Sequence, residues 1–182
     1  MKYPILVYGQ PKLRQPCRPV AAVDDNVRAL IDDLLETMAA AQGVGLAAAQ
    51  IGRSEAVCVV DVRGTPRAAD AAGVPMPLVL VNPRVECSEG SELDQEGCLS
   101  FPDVYVSIRR ATDLRATYMD RDGRSHETRF QGFLARAVQH ELDHLNGKLL
   151  VDHMTAIQKA ASAAKLKRLK KSVRNEKKGE KA

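Results

Sequence analysis

The pentapeptide His140-Glu141-Leu142-Asp143-His144 constrains the fold of this chain more than any other feature of its sequence. On a helix, residues four apart lie one turn apart on the same face, so two imidazoles can reach one metal ion. Glu141 would lie beside them, where its carboxylate can accept a proton from water. The alternative is a polar, solvated helix that carries two histidines by chance. The pentapeptide therefore predicts a helix and favours a metal site on it, but does not complete that site.

A third metal ligand has to come from elsewhere, because a catalytic metal usually has three protein ligands and an open position. Asp152 and His153 follow Gly147 at spacings that do not suit the common zinc hydrolase patterns. Cys98, preceded by Gly97, is an upstream alternative, although a single cysteine is more typical of a buried core thiol. These residues alone leave the third ligand open.

The segment Gly43–Gln50 (GVGLAAAQ) is a run of small residues with two glycines one residue apart. Such spacing occurs in phosphate-binding loops, but a third glycine and a following Lys-Ser or Lys-Thr pair are missing. A tightly packed strand of small residues is the alternative. We therefore expect no nucleotide cofactor.

The periodicity of apolar residues predicts three helices and four strands. The helices are expected over about 25–41, with an aspartate N-cap, over about 132–146, and from about 155 into the C-terminal tail. Buried strands are expected over 57–60 and 78–81, separated by a surface loop over 64–77, and a hairpin is expected from 114–118 and 126–130. Separated helices and hairpin strands favour an α+β fold.

The charge of the chain is concentrated at its C-terminus. Residues 165–182 hold nine Lys or Arg and two Glu, so a segment of +7 sets the sign of the formal net charge of +4, and the first 164 residues carry −3. We expect one domain over 1–164 and a basic tail over 165–182 that is helical and then frayed. The apolar run Ile5 to Val7 is too short for a signal peptide, and no run of about 18 apolar residues could span a bilayer. We therefore expect a cytoplasmic protein with reduced cysteines and no membrane association.

Three motifs in order resemble those of the peptide deformylases. They are Gly43–Gln50 (GVGLAAAQ), Glu96–Ser100 (EGCLS) and Gln139–Gly147 (QHELDHLNG). The resemblance covers about residues 3–154. It implies short mixed or antiparallel sheets packed around a central metal-binding helix, with a C-terminal helix. It also implies one divalent metal ion on Cys98, His140 and His144, with Fe(II) expected first and Zn, Ni or Co as alternatives.

The implied reaction is metal-dependent removal of the formyl group from the N-terminal formyl-methionine of new polypeptides, releasing formate. Glu141 would act as the base, and the side-chain amide of Gln50 and the backbone N–H of Leu99 would stabilise the oxyanion. The implied substrate-binding residues are Val44, Gly45, Arg110, Phe133 and Ala137. Family members often carry an apolar residue where this chain has Arg136, which we expect at the pocket rim with its charged end in water.

Two other functions fit parts of the sequence. An RNA- or ribosome-binding protein that has lost catalysis would explain the tail, but all the expected catalytic and ligand residues are present. A general HExxH endopeptidase would explain the pentapeptide, but lacks its usual downstream ligand. For the deformylase, we expect a bacterial cytoplasmic location and contact between the basic tail and ribosomal RNA, whose phosphates attract Lys and Arg. We also expect that deletion of residues 165–182 leaves small-peptide turnover intact.

Overall fold

In the computed structural model, which describes residues 1–179, two antiparallel sheets carry the strands. The larger sheet has the order β1-β2-β3-β6-β7 and the smaller consists of β4 and β5. The strands are β1 (Gly45–Ala47), β2 (Val57–Val60), β3 (Leu78–Glu89), β4 (Glu92–Glu96), β5 (Val106–Arg110), β6 (Asp113–Met119) and β7 (Ser125–Gln131). The helices are α1 (Asp25–Ala40), α2 (Gly132–Leu145), α3 (Leu150–His153) and α4 (Ala156–Gly179). The predicted α+β fold is confirmed.

Strand β2 is buried on both faces, which explains its uninterrupted apolar sequence. Cys58 and Val60 belong to a core cluster shared with α2, whereas Val57 and Val59 belong to a cluster shared with α1. Since successive side chains of a strand point to opposite faces, α1 and α2 cover opposite sides of the large sheet. Helix α2 packs on the large sheet and is also bonded to both strands of the small sheet through Arg136, so it is the central helix that the resemblance implied.

Both long helices of the body start at carboxylate caps. The Asp24 side chain accepts a hydrogen bond of 2.9 Å from the Val27 amide at the start of α1, as expected. At α2 the cap comes from the 64–77 segment, where Asp70 accepts a 2.7 Å bond from the Phe133 amide. The predicted surface loop thus also fixes the N-terminus of the central helix.

The structure differs from the expectations in its strands. Strand β3 continues to Glu89 instead of ending at 81, and its outer half pairs with β6. Strands β4 and β5 were not predicted, because β4 is mostly polar and β5 alternates buried with exposed residues over only five positions. The segment Gly45–Ala47 forms the edge strand β1, which was the alternative interpretation of the small-residue run.

Helix α4 is docked on the body and does not project from it. Leu166 and Leu169 pack against a core cluster built on Leu13 and Phe101, and Val173 is only 2% exposed. Ile157, near the start of this helix, is 82% exposed. The helix runs through position 165 without a break, and residues 180–182 of the predicted tail lie outside the described residues. Within 1–179, no helix is both long and apolar enough to cross a membrane.

Candidate metal centre and substrate cavity

Three possible metal ligands converge where the small sheet meets α2. Cys98 follows the end of β4, and His140 and His144 lie one turn apart on α2. One ligand atom from each lies within 4.8 Å of the other two. The Sγ atom of Cys98 is 3.2 Å from Nε2 of His144. Folding therefore brings together the ligands that the resemblance implied.

The chemistry of these donors fits a divalent transition metal. A thiolate and two imidazoles suit Fe(II), Co, Ni or Zn better than Mg or Ca. Burial, followed by the charge of His140, lowers the pKa of His144, which keeps this ring neutral and able to donate a lone pair. Burial opposes a proton on His140, but Cys98 and Glu96 raise the pKa of this ring well above its usual value, so the surroundings favour positive charge.

Glu96 orients His140 from behind. Its Oε2 atom is 3.0 Å from Nδ1 of His140, which leaves Nε2 of that ring free to face the metal site. Arg110 donates two further bonds of 2.9 and 3.0 Å to the two carboxylate oxygens. Burial would raise the pKa of Glu96, but the bonds from His140 and Arg110 and their charges lower it to about 2. Glu96 is therefore a fixed negative charge.

Glu141 is buried beside the metal ligands and has a carboxylate oxygen to spare. Burial is the largest effect on its side chain and raises the pKa of Glu141 to about 7. Its Oε2 atom, like Nδ1 of His144, has no hydrogen-bond partner among the described residues. Gly45 makes room for this side chain, since a Cβ at Gly45 would lie 2.3 Å from Oε1 of Glu141.

Gln50 has a defined amide orientation. Its Oε1 accepts a 2.9 Å bond from the Ala47 amide, so its Nε2 points towards Ser100 Oγ at 3.1 Å and Cys98 Sγ at 3.7 Å. An N–H donor is thereby held at the edge of the metal site. Leu99 follows Cys98 directly and lines the same cavity.

The metal centre opens into a cavity of about 310 Å³. Of the residues predicted to bind substrate, Val44, Gly45, Phe133 and Ala137 line it. Strand β1 forms one side and is the edge of the large sheet, with β2 as its partner in the described part of the chain. An extended peptide could therefore pair with its free edge.

Two arginines do not take the places expected of them. Arg110 is not among the lining residues of this cavity; it is buried beneath the site between Glu96 and Asp143. Arg136 borders the cavity but is 3% exposed, so the expectation of a charged end in water was wrong. Its guanidinium turns inward because Glu96 offers a buried carboxylate there.

Sequence reasoning gave no role to Glu96 or to the 64–77 loop. The sequence feature that could have indicated a role for Glu96 is its position as an acidic residue two places before the cysteine ligand. The loop places Arg67 at 5.3 Å from the centre of the Phe133 ring and 2.9 Å from Asp94, so it supports a wall of the cavity. No local sequence pattern predicts that contact.

The chain is similar to known peptide deformylases in sequence and in structure. Residues 2–160 match the family model described as polypeptide deformylase. A peptide deformylase from Alkalilimnicola ehrlichii is 46% identical over 165 residues, which cover 91% of this chain and 89% of the relative. The crystal structure of the peptide deformylase from Thermus thermophilus superposes with a TM-score of 0.83 at 38% identity, covering 94% of this chain and 99% of the other. A Met-Ala-Ser-bound class I type b peptide deformylase from Acinetobacter baumannii gives a TM-score of 0.78 at 37% identity, covering 85% and 99%.

Proposed function

Because the chain belongs to the polypeptide deformylase family, whose members remove the N-formyl group from nascent polypeptides, we propose that Glu141, Gln50 and Leu99 perform this hydrolysis beside a metal on Cys98, His140 and His144. The chain is an enzyme of this family, and the family and the three-residue cluster support a single bound metal. The observation that carries the assignment of roles is that the ligands, Glu141 and Gln50 meet in one cavity.

Each proposed role follows from the position of a side chain. The metal, when bound, supplies Lewis acidity that polarises the formyl group and activates a water molecule. Glu141 accepts a proton from the attacking water and returns it to the leaving nitrogen; its pKa of about 7 suits both transfers. The Nε2 of Gln50 and the backbone N–H of Leu99 donate to the formyl oxygen as it gains negative charge.

The proposed substrate is a formyl-methionyl peptide in extended conformation. Its backbone pairs with the free edge of β1 at Gly45, and the methionine side chain enters the cavity lined by Val44, Phe133 and Ala137. The Met-Ala-Ser bound to the Acinetobacter relative corresponds to the peptide that remains when formate is released from formyl-Met-Ala-Ser. Arg110 acts on substrate only indirectly, since its partners are Glu96 and Asp143.

Formate release from formyl-Met-Ala-Ser tests the function. Protein prepared anaerobically with Fe(II) should release formate, whereas chelated protein and a Glu141→Ala variant should not. Release that survives chelation would contradict a metal-dependent reaction. Cleavage of internal bonds in unformylated peptides would instead indicate an endopeptidase. We propose Fe(II) as the native metal, and metal analysis after anaerobic purification, with Zn, Ni and Co compared in the same assay, tests that choice.

We also propose that the basic face of α4 contacts ribosomal RNA in the bacterial cytoplasm, where nascent formylated chains emerge. A groove of about 950 Å³ lies between α4 and the body. Its basic lining residues are Arg14, Lys159, Lys167, Lys170, Lys171 and Arg174. Phosphates bound there would release counterions, so binding should weaken steeply with salt.

Deletion of the tail is a poor test of this proposal, because α4 also contributes core contacts. We suggest replacing the exposed Lys167, Lys171 and Arg174 with Gln, and comparing Arg115, Arg124 and Arg129 replaced with Gln as a control of equal charge. The α4 variant should co-sediment less with ribosomes at low salt, while its turnover of formyl-Met-Ala-Ser stays unchanged. Equal co-sedimentation of both variants would contradict the proposal.

A further inference from the structure

Arg136 connects α2 to both strands of the small sheet. Its Nη1 donates to Oε1 of Glu96 at 2.8 Å and to the carbonyl oxygen of Ile108 at 2.9 Å. Its Nη2 donates to the carbonyl oxygen of Glu92 at 2.9 Å. Glu92 and Glu96 belong to β4, and Ile108 belongs to β5. One buried guanidinium therefore holds three points of the small sheet against the helix.

These contacts matter because the proposed metal ligands come from two separate elements. Cys98 follows β4, whereas His140 and His144 lie on α2. Arg136 lies one turn before His140 on the same helix face, and both side chains bond the Glu96 carboxylate. Since Glu96 is two residues before Cys98, the position of the small sheet against α2 sets the distance of Cys98 from the two histidines.

A second arginine holds the sheet on the other side of His140. Arg110 of β5 bonds Asp143 of α2 through Nη1 at 2.5 Å. Asp143 is three residues after His140, and Arg136 is four residues before it. Two attachments that flank His140 restrain both the sliding and the tilting of the helix against the sheet.

We propose that Arg136 is a positioning residue that fixes β4, and with it Cys98, relative to the two histidines and thereby strengthens metal binding. The inference rests on the proposed metal-dependent function. A contribution to stability does not account for an arginine here: its Nε is buried without a hydrogen-bond partner among the described residues, and well-packed apolar side chains often replace buried ion pairs without loss of stability.

The test compares Arg136→Leu and Arg136→Lys with Arg109→Leu. Arg109 is an exposed neighbour in β5 whose side chain contacts Ser91. The dissociation constants for Zn(II) and Co(II) are measured by competition with a chromophoric chelator, and the visible spectrum of the Co(II) protein reports on ligand geometry and on the thiolate. We expect metal binding about 10- to 100-fold weaker in Arg136→Leu, with shifted Co(II) bands, and little change in Arg109→Leu.

Arg136→Lys keeps the positive charge beside Glu96 but cannot bond all three acceptors at once, so it should also bind metal more weakly. This variant decides the question if Arg136→Leu does not fold. Affinities and Co(II) spectra like those of the wild type in the folded Arg136 variants would overturn the inference while leaving the proposed function intact. A wild-type Co(II) spectrum that Cys98→Ala does not change would overturn both.

Discussion

At the scale of single residues, Glu141 is defined by what surrounds it. A glutamate in water is ionised at neutral pH and too weak a base to accept a proton readily, whereas burial raises the pKa of Glu141 to about 7. Gly45 allows the close approach of the backbone that accompanies this burial. The properties of the proposed base therefore depend on its neighbours as much as on its identity.

Glu141→Gln should abolish most activity without removing the metal. The amide keeps the shape of the side chain but cannot accept the proton, so the turnover number should fall by about 10²- to 10⁴-fold. Formate release and metal content, measured on the same preparation, check this. Loss of the metal together with activity would instead assign Glu141 to metal retention.

Gly45→Ala should reduce turnover through Glu141. The added Cβ would lie 2.3 Å from Oε1 and 2.8 Å from Cδ of Glu141, so the carboxylate has to move. Gly64→Ala is the matched control, since nothing lies within 4 Å of a Cβ at that position. We predict that Gly45→Ala lowers the turnover number, measured by formate release, and leaves the metal content unchanged. Gly64→Ala should change neither. Equal activity of the two variants would contradict it.

At the scale of elements, the structure shows which patterns predict contacts and which do not. Helix α2 follows from the spacing of its buried residues, and strand β2 follows from an uninterrupted run of apolar residues. Arg136 was misjudged because its environment depends on Glu96, forty residues earlier in the chain, in a strand without an apolar pattern. The two histidines were predicted from their spacing on a helix, whereas Cys98 was assigned as the third ligand only through the family motifs, because it is distant from them in sequence.

The docking of α4 gives a prediction at this scale. Val173→Ala should lower the free energy of unfolding by about 2 kcal/mol, because two methyl groups leave a position that is 2% exposed. Ile157→Ala, in the same helix but at a position 82% exposed, should change it little. The free energies of unfolding of the two variants and the wild type are compared by chemical denaturation. Equal effects would mean that the helix does not pack on the body in solution.

At the scale of the whole molecule, the site joins three separately packed regions. Helix α2 belongs to the core cluster on one face of the large sheet, and Ala48 and Ile51 beside Gln50 belong to the cluster with α1. Cys98 packs against the third cluster, with Leu166 and Leu169 of α4. Because buried Glu96 bonds groups from α2 and from the small sheet, its charge state should affect the stability of the entire fold.

The stability of the metal-free protein should therefore fall in acid, in part through Glu96. Its pKa is lowered from 4.5 to about 2 on folding, so its ionised form stabilises the protein above about pH 4.5, and this contribution is lost as the pH falls towards 2. A shift of about 2.5 units corresponds to about 3 kcal/mol.

Urea denaturation between pH 6 and pH 3 should show that the free energy of unfolding depends less steeply on pH for Glu96→Gln than for the wild type. Glu89→Gln, at an exposed position of β3, is the control for the loss of a carboxylate. The same slope in Glu96→Gln and the wild type would show that the bonds of His140 and Arg110 to this carboxylate do not contribute to folding.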